Sequence, residues 1–287
     1  MKRISLLPNL LTLANCWCGL LAISKGIDAL SLPAGQEATF YSKMESAAWL
    51  IFLAMIFDAL DGKIARLTKS FSDFGAQLDS FADAVTFGIA PALLARFLIE
   101  HEGPLMGMAV HPRLLFVACA AFSLMAILRL VRFNLESDHD AASHNEFRGL
   151  PSPAAAGTLT ATILMYLSLM PGVEVSDGTP TPVGRGLELL PEALRTGLSG
   201  SLLPLLIAAL PLLGLLMVSR VRYVHLFSAL TGTSKHFFTL VALVFVAFLL
   251  YSAPVPFLFF GGYTFVCAGI IRSLRGERAP GPARPRP

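Results

Sequence analysis

Long apolar stretches, separated by short polar interruptions, run along almost the whole chain. Eight of them approach the roughly 20 apolar residues that a helix needs to cross a bilayer core. They are about 7–25, 46–66, 77–99, 112–134, 151–171, 201–220, 237–253 and 255–271. The pattern predicts an all-α integral membrane protein with about eight transmembrane helices. The last two stretches are short and share Pro254 and Pro256, which predicts a tight helical hairpin there.

The composition supports this interpretation and excludes an ordinary soluble protein. Only 14% of the residues are charged, against about 25% in a typical globular chain, and 55% are hydrophobic. The mean hydropathy is +0.67. The apolar run after Lys2 and Arg3 resembles a signal peptide, but no clear small-x-small cleavage site follows, so we expect a retained helix.

Basic residues in the loops predict the orientation of the chain. With eight spans, both termini lie on one side, and the loops of that side and the termini together carry twelve lysines and arginines against five opposite. The positive-inside rule therefore places both termini in the cytoplasm. The net charge of +3 reflects this topology and gives no reason to expect nucleic-acid binding.

The chain shows no internal repeat and no obvious domain boundary. We expect one transmembrane catalytic domain over 1–274, which includes the extra hairpin at about 237–271. The proline- and arginine-rich tail, 275–287, should be disordered in the cytoplasm. The longest polar interruption, 172–200, would lie outside the cell.

Four aspartates interrupt the apolar pattern where the second and third predicted spans meet. They form the string Asp58-x2-Asp61-Gly62-x2-Ala65-Arg66-x8-Gly75-x3-Asp79-x3-Asp83. Spacings of three and four place each pair on one face of its helix. If the two helices are neighbours, the carboxylates converge, which requires protons, arginines or divalent cations among them.

Clustered carboxylates beside basic residues at the cytoplasmic face suggest metal-assisted phosphoryl chemistry. Mg²⁺ and similar hard cations prefer carboxylate oxygens and bind phosphates, and paired ions can stabilise both the leaving group and the phosphorus under attack. One aspartate must then serve as general base toward a hydroxyl.

The neighbouring residues allow two interpretations. Gly62 and Ala65 would admit a ligand or simply a second helix, and Arg66 would contact a phosphate or extend to the interface. Arg129 and Arg132, three apart on the fourth span, would bind an anionic group or neutralise the aspartates.

The full string from Asp58 to Asp83 is identified as the motif of the CDP-alcohol phosphotransferase family. Flanking sequences resemble the bacterial phosphatidylserine-forming branch, and the resemblance extends over about residues 5–157. They are Leu7-Pro8-Asn9-Leu10-Leu11-Thr12-Leu13-Ala14-Asn15 with Cys18-Gly19, Leu78-Asp79-Ser80-Phe81-Ala82-Asp83, Phe87-Gly88-x-Ala90-Pro91, Arg132-Phe133-Asn134, and Phe147-x-Gly149-Leu150-Pro151-x-Pro153. Thr86 departs from the more usual serine but keeps a hydroxyl.

The resemblance implies a family core at about 5–220 and a defined reaction. The phosphatidyl group of CDP-diacylglycerol would pass to the hydroxyl of L-serine, with release of CMP, in a homodimeric enzyme whose acyl chains stay among membrane lipids. Two divalent ions, Mg²⁺ or Mn²⁺, would be held by Asp58, Asp61 and Asp79, with Asp83 also close. Asp83 would be the catalytic general base, and the CDP site would comprise Asp58, Gly62, Ala65, Arg66 and Gly75.

An acceptor pocket for serine needs a cation and hydrogen-bond acceptors. Arg129, Arg132, Asn134 and Ser152 are the candidates, although Asn134 could instead cap a helix end and Ser152 could begin a helix. Asn15 and Thr12 could touch the nucleotide or make polar contacts between helices.

Two alternatives to an enzyme that uses serine as acceptor remain open, one within the family and one of another class. A relative using glycerol 3-phosphate, an inositol phosphate or choline would need a different acceptor pocket. A cation-coupled transporter would spread polar residues across the midplane of several helices, whereas this chain concentrates them near one membrane face on two consecutive helices.

Overall fold

The computed structural model describes residues 6–68, 72–108, 110–139, 147–170, 191–223 and 236–275. These ranges are almost entirely helical. The helices are α1 (Leu6–Leu30), α2 (Glu37–Leu67), α3 (Asp73–Asp83), α4 (Ala90–Leu105), α5 (Pro112–His139), α6 (Ser152–Leu169), α7 (Glu192–Val218), α8 (His236–Ser252) and α9 (Pro254–Leu274). A π-helical segment, Ala84–Ile89, joins α3 to α4.

Six candidate membrane spans occur in the described ranges, which confirms an all-helical multi-pass membrane protein. They are Leu6–Leu30, Phe74–Leu105, Pro112–Leu135, Ser152–Leu169, Ala193–Val218 and Pro254–Leu274. Neither α2, which carries Asp58 and Asp61, nor α8, which has 17 residues, is among the six. The prediction of eight spans is therefore not confirmed.

Helix α1 shows the inverted pattern expected of a helix that faces lipid. Its protein-facing residues recur at spacings of three and four and are mostly small or polar, and they are Pro8, Asn9, Thr12, Asn15, Cys18, Gly19, Ala22, Gly26 and Ala29. Large apolar side chains such as Leu10, Leu13 and Trp17 point outward. Lipid chains can surround these outward side chains. The small residues on the opposite face let α1 approach its neighbouring helices closely.

The centre of the bundle is α6. Its span is 83% buried, and its side chains pack with residues from α2, α4 and α7 in one continuous apolar core. Leu159, Leu164 and Tyr166 are among its fully enclosed side chains. Helices α5 and α9 also contribute buried side chains to this core.

The third predicted span, 77–99, is a longer helix with a local irregularity. Pro91, the second residue of α4, lacks a backbone N–H, and the π-helical turn ends two residues before it. The Ser123 hydroxyl of α5 donates a hydrogen bond of 3.0 Å to the Gly88 carbonyl within that turn. A single π-helical turn within an α-helix often occurs at a functional site, and this one directly follows Asp83.

Two helices begin earlier than hydropathy predicts. Helix α2 starts at Glu37 rather than near 46, and α7 starts at Glu192 rather than near 201. The predicted external interruption, 172–200, is therefore partly helical, and residues 171–190 lie outside the described residues. The predicted tail also falls outside them beyond residue 275.

A short antiparallel pairing ties the entry of α6 to the exit of α7. Strand β1 (Phe147–Arg148) pairs with β2 (Arg222–Tyr223), with Phe147 opposite Tyr223. The backbone N–H groups of Gly149 and Leu150 donate to the carbonyls of Val221 and Leu216 at 2.8 and 3.0 Å.

Gly149 should be irreplaceable in this connection. Its φ of +89° is disfavoured for other residues, and a Cβ there would overlap the carbonyl oxygen of Met217. We expect Gly149→Ala to destabilise the fold by about 2 kcal/mol or more, measured by thermal unfolding in detergent. Gly200→Ala is the matched control, because a Cβ at Gly200 meets nothing within 4 Å. Equal stability of the two variants would contradict this account.

Candidate active site

Three of the four aspartates meet between α2 and α3, two helices that both pack against α1. Among the described residues, Asp58, Asp61 and Asp79 each offer a carboxylate oxygen, and these oxygens lie within 4.8 Å of one another. Asp61 is buried, whereas Asp58 and Asp79 are half-buried and border open space. The convergence expected from the motif therefore occurs for these three residues.

Asp83 lies one turn beyond Asp79 and outside that three-oxygen group. It is 9% exposed and near enough to Asp58, Asp79 and Arg129 to interact with them electrostatically. A carboxylate beside the cluster can act on a bound substrate without itself coordinating the cation.

Local sequence explains why α3 starts where it does. Ser72 is extended and caps the helix, since its hydroxyl accepts a hydrogen bond of 3.0 Å from the Gly75 backbone N–H. A Cβ at Gly75 would lie 3.0 Å from the Ser72 hydroxyl and 3.1 Å from Asn9 Oδ1. Glycine at this position therefore keeps α1 close to the start of α3.

Helix α1 supplies hydrogen bonds to two of the carboxylates. The Thr12 hydroxyl donates to Asp61 Oδ2 at 2.8 Å, and the Asn15 amide donates to Asp83 Oδ1 at 3.2 Å. These contacts are made by polar residues on the small, buried face of α1. They match the helix-packing alternative stated for Thr12 and Asn15.

The cluster fits a hard divalent cation. Three carboxylates from two helices supply the oxygen ligands that Mg²⁺ and Mn²⁺ prefer. Asp79 Oδ1 is buried and has no hydrogen-bond partner among the described residues, which is costly unless something else satisfies it. A cation bound between the carboxylates would do so.

A cavity of about 360 Å³ opens beside the aspartates. Its lining includes Asp61, Asp79 and four of the residues assigned to the CDP site by resemblance, which are Gly62, Ala65, Arg66 and Gly75. Arg66 is exposed and folds back along its own helix, where Nε donates to the Gly62 carbonyl at 3.1 Å. The cavity thus combines small residues, one long and exposed cationic side chain, and carboxylates.

The four acceptor candidates make protein contacts of their own. Arg129 donates to the Ser152 hydroxyl at 2.7 Å, Arg132 donates to the Val218 carbonyl at 3.2 Å, and Asn134 donates to the Ser80 hydroxyl at 2.8 Å. None of the four is among the described residues that line the cavity, although their neighbour Phe133 is.

These contacts bear on the alternatives left open by the sequence. Asn134 lies inside α5 and does not cap its end, whereas Ser152 does begin α6. Arg129 interacts electrostatically with Asp58 and Asp83, so it partly neutralises the aspartates whether or not it also binds a ligand.

The sequence did not predict Ser72 as a cavity residue. It also did not predict that Thr12 and Asn15 donate hydrogen bonds to the site aspartates. The pattern Ser72-x-x-Gly75 before an apolar run is a recognisable helix start. Polar residues recurring every three residues at Asn9, Thr12 and Asn15 also indicated a polar helix face directed at the site.

Comparison with known proteins agrees with the geometry. The family model described as CDP-alcohol phosphatidyltransferase matches residues 5–184. A CDP-diacylglycerol–serine O-phosphatidyltransferase of Helicobacter pylori is 30% identical over 274 residues, which cover 94% of this chain and 91% of that protein.

Two further relatives bear the same name. The Bacillus subtilis protein is 34% identical over 161 residues, covering 56% of this chain and 76% of its own length. The Methanocaldococcus jannaschii protein is 36% identical over 137 residues, covering 48% of this chain and 58% of its own length.

The fold and site define a multi-pass helical membrane protein with a carboxylate cluster suited to a divalent cation. With the match over most of its length, the chain belongs to the CDP-alcohol phosphatidyltransferase family.

Proposed function

We propose that this enzyme transfers the phosphatidyl group of CDP-diacylglycerol to the side-chain hydroxyl of L-serine. The new bond joins the serine oxygen to the β-phosphorus, the bond from that phosphorus to the CMP oxygen breaks, and CMP leaves with the electron pair. The serine proton passes to a carboxylate. The observation that carries the proposal is the three-aspartate cluster, of which Asp61 and Asp79 line a cavity together with Gly62, Ala65, Arg66 and Gly75.

Asp58, Asp61 and Asp79 are the residues proposed to hold Mg²⁺ or Mn²⁺, as a pair of ions. Bound there, the cations would neutralise the diphosphate and make CMP a better leaving group. Thr12 fixes one oxygen of Asp61, so the other oxygen of that carboxylate stays available for binding.

Donor binding is proposed at the cavity beside these carboxylates. Gly62 and Ala65 leave room for the diphosphate to approach α2, and the exposed Arg66 guanidinium can reach a phosphate oxygen. The diacylglycerol chains would remain in lipid against the outward apolar faces of the bundle.

Asp83 is the proposed general base. It is the one motif aspartate outside the three-oxygen group, and it adjoins Asp79 on the same helix face. A carboxylate not committed to cation binding is free to accept the serine proton.

The test is CMP release from CDP-diacylglycerol by purified enzyme, with Mg²⁺ or Mn²⁺, comparing L-serine with glycerol 3-phosphate, inositol phosphate and choline. We expect release that requires both serine and the metal. Metal-dependent release with another acceptor would keep the family chemistry and overturn the serine assignment. No release with any acceptor from folded protein would reopen the transporter alternative.

Substitution of Arg129 distinguishes two possible roles of this residue, binding of serine and neutralisation of the aspartates. If its guanidinium binds the serine carboxylate, Arg129→Gln should raise the KM for serine by about tenfold or more without changing the KM for CDP-diacylglycerol. If it mainly neutralises Asp58 and Asp83, kcat and the metal requirement should change instead. Arg96→Gln is the control, since Arg96 also lies in a span, pairs with Glu100 at 2.8 Å and sits over an aromatic ring.

The membrane arrangement also belongs to this proposal. We place both termini and the cavity on the cytoplasmic side of a bacterial inner membrane, and we expect a homodimer. The orientation is tested by labelling, in intact cells, single cysteines introduced at the two ends of the chain. The homodimer is tested by cross-linking in membranes.

A further inference from the structure

Asn15 is an unusual residue to find fully enclosed within a membrane bundle. Its side chain is 0% exposed, it lies near the middle of α1, and its amide nitrogen donates to Asp83 Oδ1 at 3.2 Å. The contact joins positions 68 residues apart in the sequence. Burying an amide among helices is unfavourable unless its hydrogen bonds compensate.

The orientation of this amide is determined by the carboxylate. Asn15 Oδ1 is buried and has no hydrogen-bond partner among the described residues, so only the nitrogen side is satisfied. Turning the amide over would place Oδ1 against the Asp83 carboxylate, where two acceptors repel. The nitrogen therefore faces Asp83, at the cost of an unpaired acceptor on the other side.

The backbone around Asn15 is held against the same helix that carries Asp83. The Thr86 hydroxyl, three residues beyond Asp83, donates to the Asn15 carbonyl oxygen at 3.2 Å. One turn along α1, a Cβ at Gly19 would lie 2.5 Å from Thr86 Oγ1 and 2.9 Å from its Cα. This close contact fixes the distance between α1 and the π-helical turn, and with it the reach of the Asn15 side chain.

We propose that Asn15 is a positioning residue for Asp83. By donating to Oδ1, it holds the carboxylate in one rotamer and leaves Oδ2 as the oxygen that accepts the serine proton. This inference rests on the proposed role of Asp83 as general base. It assigns Asn15 to the proton-transfer step rather than to binding of the nucleotide.

The test uses Asn15→Leu, which keeps the branched shape of the side chain, is somewhat larger and removes the donor. We expect kcat to fall by about 10- to 100-fold, the loss typical of one hydrogen bond to a charged group. The KM values for CDP-diacylglycerol and serine, and the metal concentration for half-maximal activity, should change by less than about twofold, because binding does not use this bond. Asn15→Ala is made in parallel, since it also lacks the donor and leaves no larger group to accommodate.

Thr162→Val is the matched control for a purely structural role. Thr162 is fully buried in α6, and its hydroxyl donates to the Thr158 carbonyl at 2.9 Å, so the substitution removes a buried hydrogen bond outside the carboxylate cluster. We expect lower thermal stability with kcat little changed. If Thr162→Val and the Asn15 variants lower kcat equally, in proportion to lost stability, the positioning role is refuted.

Two other results would also overturn the inference. An unchanged kcat in both Asn15 variants would show that Asp83 needs no such support. A raised KM for CDP-diacylglycerol with kcat intact would place Asn15 in nucleotide binding. Failure of the proposed function itself looks different, because the unmodified enzyme would then release no CMP with serine.

Discussion

Replacing Asp79 by asparagine should abolish cation binding and turnover together. Asp79 contributes one of three carboxylate oxygens lying within 4.8 Å of one another, and its buried Oδ1 lacks a protein partner in the described ranges. Asparagine keeps the shape but removes the charge that a hard cation requires. Loss of even an outer-shell partner costs about 10- to 100-fold in metal affinity, so we expect loss of a direct ligand to exceed about 100-fold.

Thermal unfolding gives a readout that does not depend on activity. Two ionised carboxylates whose oxygens lie within 4.8 Å of each other repel by about 3.5 kcal/mol or more at an effective dielectric near 20. In chelator, Asp79→Asn should therefore be more stable than the unmodified protein. Added Mn²⁺ should stabilise the unmodified protein but not the variant, because only the former binds the ion.

Asp28→Asn is the matched control for this experiment. Asp28 lies near the end of α1, is paired with Lys43 at 3.8 Å and takes no part in the carboxylate cluster. Its replacement should leave the response to Mn²⁺ unchanged. Normal stabilisation of Asp79→Asn by Mn²⁺ would remove Asp79 from the proposed ligands and leave the cluster without its α3 member.

Hydropathy alone predicted much of the fold because lipid imposes one simple requirement on each span. The predicted segments 112–134 and 151–171 correspond to Pro112–His139 and Ser152–Leu169. The pattern was less informative at helix ends. Glu192, Arg195 and Thr196 are polar, yet they begin α7, because hydropathy measures preference for lipid and not preference for helix.

Contacts between distant residues explain what the sequence could not supply. The motif spacing placed each pair of aspartates on one helix face, and three of the four carboxylates do converge. The bonds from Thr12 to Asp61 and from Asn15 to Asp83 join residues 49 and 68 positions apart. No local pattern specifies such pairings, so the sequence could offer only nucleotide contact or helix packing as alternatives.

The π-helical turn is a second feature that local patterns do not predict. The turn ends two residues before Pro91, and the Ser123 hydroxyl of α5 donates to the Gly88 carbonyl within it. Within this turn, the Thr86 hydroxyl donates to the Asn15 backbone carbonyl on α1. Sequence and tertiary packing thus jointly determine how the fourth aspartate is held.

Asp83→Asn should retain CDP-diacylglycerol and metal binding while losing turnover. Asp83 lies outside the three-oxygen group, so its replacement leaves the proposed cation ligands intact. Asparagine is nearly the same size but cannot accept a proton at neutral pH. Removing a general base costs about 10²- to 10⁴-fold in rate, and we expect a loss of kcat in that range.

The experiment pairs a turnover assay with two binding measurements. CMP release reports kcat, while calorimetry with CDP and the stabilisation by Mn²⁺ report the donor and metal sites. Glu100→Gln is the control, because Glu100 lies further along the same continuous helical segment and pairs with Arg96 instead of the cluster. It should leave all three quantities unchanged.

The separation of binding from turnover is what decides the role of Asp83. If Mn²⁺ still stabilises Asp83→Asn and CDP still binds, the lost rate can be attributed to proton transfer. The hydrogen bond from Asn15 would then orient a general base. If metal binding disappears with activity, Asp83 belongs among the cation ligands. The serine proton must then pass to another acceptor, and Asn15 would be positioning a ligand of the metal instead of a base.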